Sequence, residues 1–318
     1  MTFATAITHL SQDEQSYSSQ PQSWVGKMVD AYAEEKLEGP NRLALHRRVG
    51  RTFTLVTAGL EAARGLNAEE FRQGVEAVYD AVIHAVEPRM LVRVWNFIPG
   101  ILDPLGEWDQ RYKVFNAGRF NSYSRWYGGR GEFGRRIATA SGIGTASDEF
   151  TVHALATTNS ALPIENPRQV SSYRYSKKFG PLPPCFARAT RVECTPRGAP
   201  RLLVGGTASI RGETTYHIDD LDLQLEETIK NLAAVVASGL GETGDDFSLE
   251  DRCRSLLAHY RHLRVYCPRL EDLDPVAARL QLEFENVERM ELVQSDLCRK
   301  GLLVEIEGWA GLEPIPIG

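Results

Sequence analysis

The segment Leu302-Leu-Val-Glu-Ile-Glu-Gly308 alternates like a β-strand and places two acidic side chains in an apolar run. Successive side chains of a strand point to opposite faces, so Glu305 and Glu307 share one face, and Val304 and Ile306 take the other. A buried carboxylate is costly unless it is paired or protonated. This strand is therefore the first place to look for an acid catalyst. The alternative is a strand at a sheet edge whose glutamate face lies in water.

The composition is that of a soluble globular protein. Its 318 residues suffice for two ordinary domains or one large one, and 42% are hydrophobic and 25% charged. The net charge of −6 does not favour binding to nucleic acid or an anionic membrane. The five cysteines have no regular spacing, the N-terminus is polar, and no apolar run approaches the roughly 18 residues of a membrane span. We expect a cytoplasmic protein with free thiols.

The predicted elements follow a similar order in the two halves of the chain. Residues 67–86 form a strongly amphipathic helix, with Asn67 as its N-cap and Glu70 at the capping-box position. Two related α+β units are indicated, which we place at residues 1–160 and 161–318, with the catalytic site in the second. The other predicted helices cover residues 108–124, 219–239, 247–261 and 274–285, and the predicted strands cover residues 52–58, 90–99, 138–146, 201–210, 263–267 and 302–308.

The middle of the chain, residues 165–189, is dense in arginine, lysine and tyrosine and is interrupted by prolines. Such a stretch cannot be a regular helix or a central strand throughout. Arginine binds carboxylates through two parallel hydrogen bonds, and tyrosine hydroxyls fix orientation. The stretch therefore predicts an ordered loop that forms an anion pocket for a small acid. The alternative is a solvated basic loop.

Four stretches of the chain are distinctive in combination: Arg93-Val-Trp-Asn-Phe-Ile-Pro99, Asn166-Pro-Arg-Gln-Val-Ser-Ser-Tyr-Arg-Tyr175, Gly205-Gly-Thr-Ala-Ser-Ile210, and Asp296-Leu-Cys-Arg299 with Leu303-Val-Glu-Ile-Glu-Gly308. In this order they resemble the chorismatases, a bacterial family of two domains of the YjgF/RidA type. The resemblance covers about residues 50–309 and implies an α+β fold of two tandem YjgF/RidA-like (chorismate mutase-like) domains, with mixed sheets and helices packed on one face.

The resemblance also implies a reaction, the loss of pyruvate from chorismate without a metal or an organic cofactor. It implies a catalytic glutamate near the C-terminus, which we place at Glu305, with Glu307 as the alternate. Chorismate is a small-molecule substrate, and we expect a monomer that binds neither nucleic acid nor a membrane. Its two carboxylates require cationic or donor groups, and the candidates are Arg188, Arg174, Lys178, Arg264 and Tyr175.

A vinyl ether such as the enolpyruvyl group is cleaved by protonating its methylene carbon, which gives an oxocarbenium ion. A glutamate in a partly apolar strand can serve as this acid because desolvation raises its pKa. Water attack on the ion would give a dihydroxycyclohexadiene acid, whereas internal rearrangement would give a hydroxybenzoate.

The cues for the product conflict. Cys298 is similar to the cysteine of family members that make 3-hydroxybenzoate, whereas Ala208 looks more like the residue of hydrolysing members. We favour the cysteine cue, because a thiol can act in proton transfer while one methyl group only reshapes the pocket. The alternative for Cys298 is a small core residue, since free cysteines are commonly buried.

Weaker patterns leave other classes open. His259 and His262 are three residues apart on a predicted helix, but no third metal ligand is evident. The glycine-rich stretch Gly128–Gly134 predicts a flexible loop near the site or only a turn. A RidA-type imine deaminase shares the fold class, although such enzymes are short single domains that form trimers. A non-catalytic ligand-binding protein that kept the fold is the third possibility.

Overall fold

The computed structural model describes residues 5–10, 19–38, 43–193, 199–242 and 249–313, and it has a mixed α+β fold. The described residues form two large sheets, one two-stranded hairpin and seven α-helices, besides four short 3-10 helices. No helix among them is long and apolar enough to cross a membrane. The strands are β1 (Ala6–Leu10), β2 (Ala33–Glu38), β3 (Leu43–Val49), β4 (Phe53–Leu60), β5 (Met90–Pro99), β6 (Thr139–Thr145), β7 (Phe150–Thr157), β8 (Ala161–Ile164), β9 (Ala189–Val192), β10 (Arg201–Ala208), β11 (Ile210–Arg211), β12 (Thr214–Thr215), β13 (Tyr260–Cys267), β14 (Arg289–Gln294) and β15 (Glu305–Gly311). The helices are α1 (Ser23–Val29), α2 (Ala68–Val86), α3 (Arg111–Tyr127), α4 (Arg130–Arg136), α5 (Leu221–Gly239), α6 (Leu249–Leu257) and α7 (Leu273–Glu283).

The two sheets have the same connectivity. The first has the order β2-β3-β4-β7-β5-β6, and the second has the order β8-β9-β10-β15-β13-β14 with β1 added beyond β14. In each sheet the last strand in sequence order, β7 or β15, lies antiparallel between two others, and the next pair along, β5 with β6 or β13 with β14, is parallel. The strand β1 crosses from the first half of the chain to the second sheet, where it runs parallel to β14.

Three apolar clusters divide the protein into four layers. One cluster packs α2 and α3 on one face of the first sheet, and a second packs α5, α6 and α7 on one face of the second sheet. The third lies between the two sheets and includes Phe97, Leu203, Tyr266 and Trp24. The sheets therefore face each other, with helices on their outer sides, and both faces of each sheet are covered.

The predicted capping box at the start of α2 is confirmed. The Asn67 side chain accepts a hydrogen bond from the Glu70 backbone N–H at 3.0 Å, and the Glu70 carboxylate accepts one from the Asn67 N–H at 3.0 Å. Phe71, Val75 and Val78 on its apolar face are buried.

Several predicted boundaries were wrong because tertiary pairing decides them. The helix predicted over 247–261 ends at Leu257, since Tyr260 already pairs with Ala310 in the second sheet. His262 therefore lies on a strand and not on a helix. The helix predicted over 108–124 begins at Arg111 and ends at Tyr127. The next residue, Gly128, has a left-handed backbone (φ 88°), which suits a glycine C-cap.

The glycine-rich stretch Gly128–Gly134 is mostly helix and not a flexible loop or a turn, because α4 begins at Arg130.

The final strand begins at Glu305 and not at Leu302. The Leu303 N–H donates to the side chain of Gln224 on α5 at 2.9 Å instead of to a neighbouring strand.

The strand β15 lies in the interior of its sheet, between β10 and β13, so the alternative of an edge strand with hydrated glutamates was wrong. Glu305 and Glu307 are 4% and 0% exposed, and both point into the layer between the sheets, while Val304 and Ile306 pack against the helices. The predicted division of side chains between the two faces is confirmed.

A buried ion pair joins the two sheets. Arg93 on β5 donates to the carboxylate of Glu307 on β15 with an N–O distance of 2.6 Å, and the two side chains are 1% and 0% exposed. The guanidinium also lies over the Trp95 ring, 4.6 Å from its centroid. Removing one partner of such a buried pair leaves the other charge buried without compensation, which is strongly destabilising.

We therefore expect Arg93→Met to lower the free energy of unfolding by about 3–5 kcal/mol, measured by urea denaturation, because Glu307 loses its counter-charge. The matched control is Arg48→Met, which removes an ion pair with Glu34 at the surface and should cost about 1 kcal/mol or less. Equal small losses in both variants would contradict a structural role for the buried pair.

Candidate active site

A cleft of about 670 Å³ lies where the two halves of the chain meet. The first half contributes residues of α3, its N-cap Gln110 and β6. The second half contributes the loop of residues 165–189, called the central loop below, together with β10, β11, the Cys298–Arg299 segment and the start of β15. The lining residues are Gln110, Tyr112, Lys113, Arg119, Ala140, Ser141, Gly142, Tyr175, Phe179, Pro184, Phe186, Arg188, Gly206, Ala208, Ile210, Cys298, Arg299 and Glu305.

The carboxyl group of Glu305 lies in this cleft directly above Gly206. A Cβ atom at Gly206 would lie 1.9 Å from Oε1 of Glu305, so only a glycine leaves room for the carboxyl group. Burial raises the pKa of Glu305 to about 8; the charge of Glu307 adds to the rise, and Arg93, Arg299 and Arg188 oppose it. The carboxyl group is therefore predominantly protonated at neutral pH, as a general acid must be.

Glu307, two residues along the same face, is occupied by protein partners. Its carboxylate accepts hydrogen bonds from Tyr266 at 2.9 Å and from Trp95 and Gln22 at 3.2 Å, in addition to Arg93. It does not line the cleft. Of these two glutamates, Glu305 is therefore the one whose carboxyl group lines the cleft.

Ser141 connects Glu307 to the backbone of Gly206, the residue beneath the Glu305 carboxyl group. Its hydroxyl donates to Glu307 and accepts hydrogen bonds from Arg93 at 2.7 Å and from the Gly206 backbone N–H at 2.9 Å. The backbone beneath Glu305 is thus held by the same network that holds Glu307.

Cys298 lines the cleft and packs against the helix-side cluster of the first sheet and the inter-sheet cluster. Burial raises the pKa of its thiol to about 12, with the charge of Glu305 as the next cause and Arg299 opposing. The group is therefore a neutral thiol at physiological pH and can donate a proton or a weak hydrogen bond.

The predicted cationic loop supplies one buried arginine with an orienting tyrosine. Arg188 donates 2.8 Å hydrogen bonds to the Val170 carbonyl and to the Tyr175 hydroxyl. Both Arg188 and Tyr175 are 6% exposed and line the cleft, so a fully solvated basic loop is excluded at these positions. Within the described parts of the chain, Nε of Arg188 is buried without a hydrogen-bond partner.

Three other predicted binding residues lie outside the cleft lining. Arg264 is buried in an ion pair with Glu291 at 2.7 Å and also donates to the Gln20 carbonyl at 2.6 Å, so its charge is already matched. Arg174 is exposed, and Lys178 lines a neighbouring outer cleft. The structure therefore does not bring these three together with Glu305, whereas Ala208 is adjacent to it in the β10–β15 register.

Sequence reasoning missed two arginines of the cleft. Arg119 is 1% exposed in the middle of α3, where it donates to Asn116 at 2.9 Å and lies 4.7 Å from the Phe115 ring centroid. Arg299 follows Cys298, and its guanidinium stacks 4.2 Å from the Phe179 ring centroid. The position beside Cys298 was a usable signal for Arg299, whereas helical pattern alone does not reveal that Arg119 faces a cleft.

No group of three or more His, Cys, Asp or Glu side chains converges on a metal position in the described parts of the chain. The cleft brings together one neutral carboxyl group, one thiol and several arginines. Such a lining suits a small anionic substrate that accepts a proton.

The fold and the site thus define a mixed α+β protein with a buried carboxyl group in a cleft lined by arginines. Residues 40–156 match the family model for the N-terminal domain of FkbO/Hyg5-like chorismatases. A chorismatase of Streptomyces rapamycinicus is 31% identical over 253 residues, which cover 77% of this chain and 72% of that protein. A 3-hydroxybenzoate synthase of Streptomyces hygroscopicus is 31% identical over 244 residues, covering 75% and 69%.

A crystal structure of a chorismatase superposes with a TM-score of 0.71 at 28% sequence identity, covering 87% of this chain and 80% of that one. The chain belongs to the chorismatase family.

We expect Gly206→Ala to force the Glu305 carboxyl group out of its place, since the added methyl group would overlap Oε1. The free energy of unfolding should fall by about 1–3 kcal/mol, as for other overpacked cores. A crystal structure of the variant and urea denaturation together measure both effects. The control is Gly131→Ala on α4, where a Cβ meets no atom within 4 Å; it should be neutral or stabilising by about 1 kcal/mol. An unmoved Glu305 in Gly206→Ala would contradict the described geometry.

Proposed function

We propose that this protein converts chorismate to pyruvate and a hydroxybenzoate, with 3-hydroxybenzoate as the main product. The observation that carries the proposal is a buried glutamate with a pKa of about 8 in a cleft lined by arginines. The names of the relatives, chorismatase and 3-hydroxybenzoate synthase, support the same substrate. The alternatives are hydrolysis to pyruvate and 3,4-dihydroxycyclohexa-1,5-dienecarboxylate, and formation of 4-hydroxybenzoate.

The two carboxylates of chorismate would bind to the arginines of the cleft. Arg188 is held by Tyr175 and lies on the wall formed by the central loop, whereas Arg119 enters from α3. Arg299, stacked on Phe179, is the third cation. Buried guanidinium groups form strong, oriented hydrogen bonds with carboxylates, so this set fixes the enolpyruvyl group relative to Glu305.

Glu305 would transfer its proton to the methylene carbon of the enolpyruvyl group. The vinyl C=C electrons form the new C–H bond, and the ether oxygen shares the positive charge of the oxocarbenium ion. The resulting Glu305 carboxylate then stabilises this cation electrostatically inside the cleft. The carboxylate is restored to the acid when a proton released later in the reaction returns to it.

The fate of the cation decides the product. Internal rearrangement and elimination convert chorismate into 3-hydroxybenzoate and pyruvate without added water. Capture by water adds one H₂O and yields the diene diol and pyruvate. In this proposal the neutral thiol of Cys298, which lines the cleft, would assist the internal route by proton transfer. Ala208, which pairs with Glu305 in the β10–β15 register, would shape the cleft wall beside the acid.

We also propose two tandem YjgF/RidA-like domains, residues 1–160 and 161–318. Support comes from the identical connectivity of the two sheets and from the change of sheet between β7, which ends at Thr157, and β8, which begins at Ala161. In this proposal the catalytic glutamate and thiol belong to the second domain, and the first supplies part of the cleft wall.

Glu305→Gln should lower the turnover of chorismate about a hundredfold or more with little change in binding, because the proton donor is lost and the shape is kept. Steady-state assays of pyruvate release measure this. In the wild type, activity should fall as the pH rises through about 8, where Glu305 ionises. The matched control is Glu149→Gln, a half-buried carboxyl group with a raised pKa outside the cleft, which should keep wild-type turnover. Retained turnover in Glu305→Gln, with loss of turnover in Glu307→Gln, would assign the role of the acid to Glu307 instead.

Cys298→Ala should shift the products from 3-hydroxybenzoate toward the diene diol, because water captures the cation once the thiol is gone. Chromatography of one chorismate digest gives the ratio of the two acids. Ala208→Gly should leave the aromatic product dominant, and Cys253→Ala, at a thiol outside the cleft, is the control. A wild-type enzyme that makes only the diol would show that Ala208 was the better cue, and an unchanged ratio in Cys298→Ala would assign the thiol to core packing.

A further inference from the structure

A second, outer cleft of about 690 Å³ adjoins the active-site cleft. The two share Gln110, Lys113, Phe179 and Arg299 in their linings, so the outer cleft opens onto the inner one. Its other walls are formed by the β11–β12 hairpin and by two further lysines, Lys178 and Lys300.

The outer cleft is strongly cationic although the chain carries a net charge of −6. Three lysines and Arg299 line it, and Lys178 and Lys300 are exposed. Among the residues that the structure describes, neither Lys178 nor Lys300 forms an ion pair. The neighbouring carboxylates include Asp109, which binds Lys113 at 2.8 Å, and Glu213, which accepts hydrogen bonds from Ser176. Four cationic side chains and no acidic one are found among the described residues that line this cleft.

Arg299 stands at the boundary between the two clefts. Its guanidinium stacks on Phe179 and lies 5.3 Å from the Tyr175 ring centroid, and its NH1 donates to the Glu213 carbonyl at 2.8 Å. Tyr175 in turn accepts the hydrogen bond of Arg188. Cationic groups thus follow one another from Lys178 and Lys300, through Arg299, to the buried Arg188.

We propose that the outer cleft is an electrostatic capture site that draws a dicarboxylate substrate toward the active site. This inference rests on the proposed function, because chorismate is a dianion. Exposed lysines lose little hydration when an anion passes, so they raise the encounter rate without holding the substrate tightly. A concave cationic mouth on an acidic protein also concentrates dianions over the region where they must enter.

The test is the association rate constant of chorismate, measured by stopped-flow fluorescence at about 20 mM and about 300 mM salt, over which screening strengthens severalfold. Lys178→Gln combined with Lys300→Gln should slow association about tenfold at low salt and much less at high salt. Turnover of bound substrate should be unchanged. Lys27→Gln on α1 makes the same type of charge change outside both cleft linings and should have little effect.

The uncharged dimethyl ester of chorismate separates charge from shape, since its association should not depend on the two lysines. Equal association rates for chorismate in the wild type and the double variant would overturn the capture site, as would an equal loss in Lys27→Gln. Chorismate that associates with this salt dependence but is never turned over would refute the proposed function and support the capture site. A failure of chorismate to associate at all would overturn both.

Discussion

The buried contact between Arg93 and Glu307 is the interaction on which the rest of the site depends. It connects a strand of the first sheet to the strand that carries Glu305, with an N–O distance of 2.6 Å and no access to water. Ser141 extends the contact to the backbone of Gly206, the residue beneath the Glu305 carboxyl group. The packing of the two sheets and the position of the acid are thus fixed by one network.

The two glutamates share one face of β15, but the network places their carboxyl groups in different electrostatic surroundings. Glu307 lies against a guanidinium and four further donors, which match a carboxylate. Glu305 lies two residues away in a poorly solvated cleft, and the neighbouring charge of Glu307 adds to the desolvation that raises its pKa. A carboxyl group whose pKa is raised by burial and by a neighbouring charge is a recurring solution for acid catalysis near neutral pH.

Much of the fold was predictable because it follows local pattern. The α2 capping box and the assignment of Glu305 and Glu307 to one strand face came from residue spacing alone. The start of β15 and the end of α6 were not predictable, since strand pairing and the Gln224 side chain decide them.

The site was predictable only in part, because tertiary contacts decide which side chains face the cleft. Glu305, Cys298, Arg188, Tyr175 and Ala208 do line one cleft. Arg264 was indistinguishable from a binding residue until its pairing with Glu291 was visible. Arg119 comes from a distant helix, and only tertiary packing turns it toward the cleft.

The central claim is that Glu305 is a neutral acid at pH 7, and titration of its carboxyl carbon tests it directly. In protein labelled with ¹³C at the glutamate carboxyl position, the Glu305 resonance is identified by its absence from Glu305→Gln. Its chemical shift is then followed between about pH 2.5 and pH 10, a range that brackets both the ordinary glutamate pKa and the raised one. We expect a midpoint of about 8. A midpoint near the ordinary value of 4.5 would contradict it, because Glu305 would then be ionised when the substrate binds.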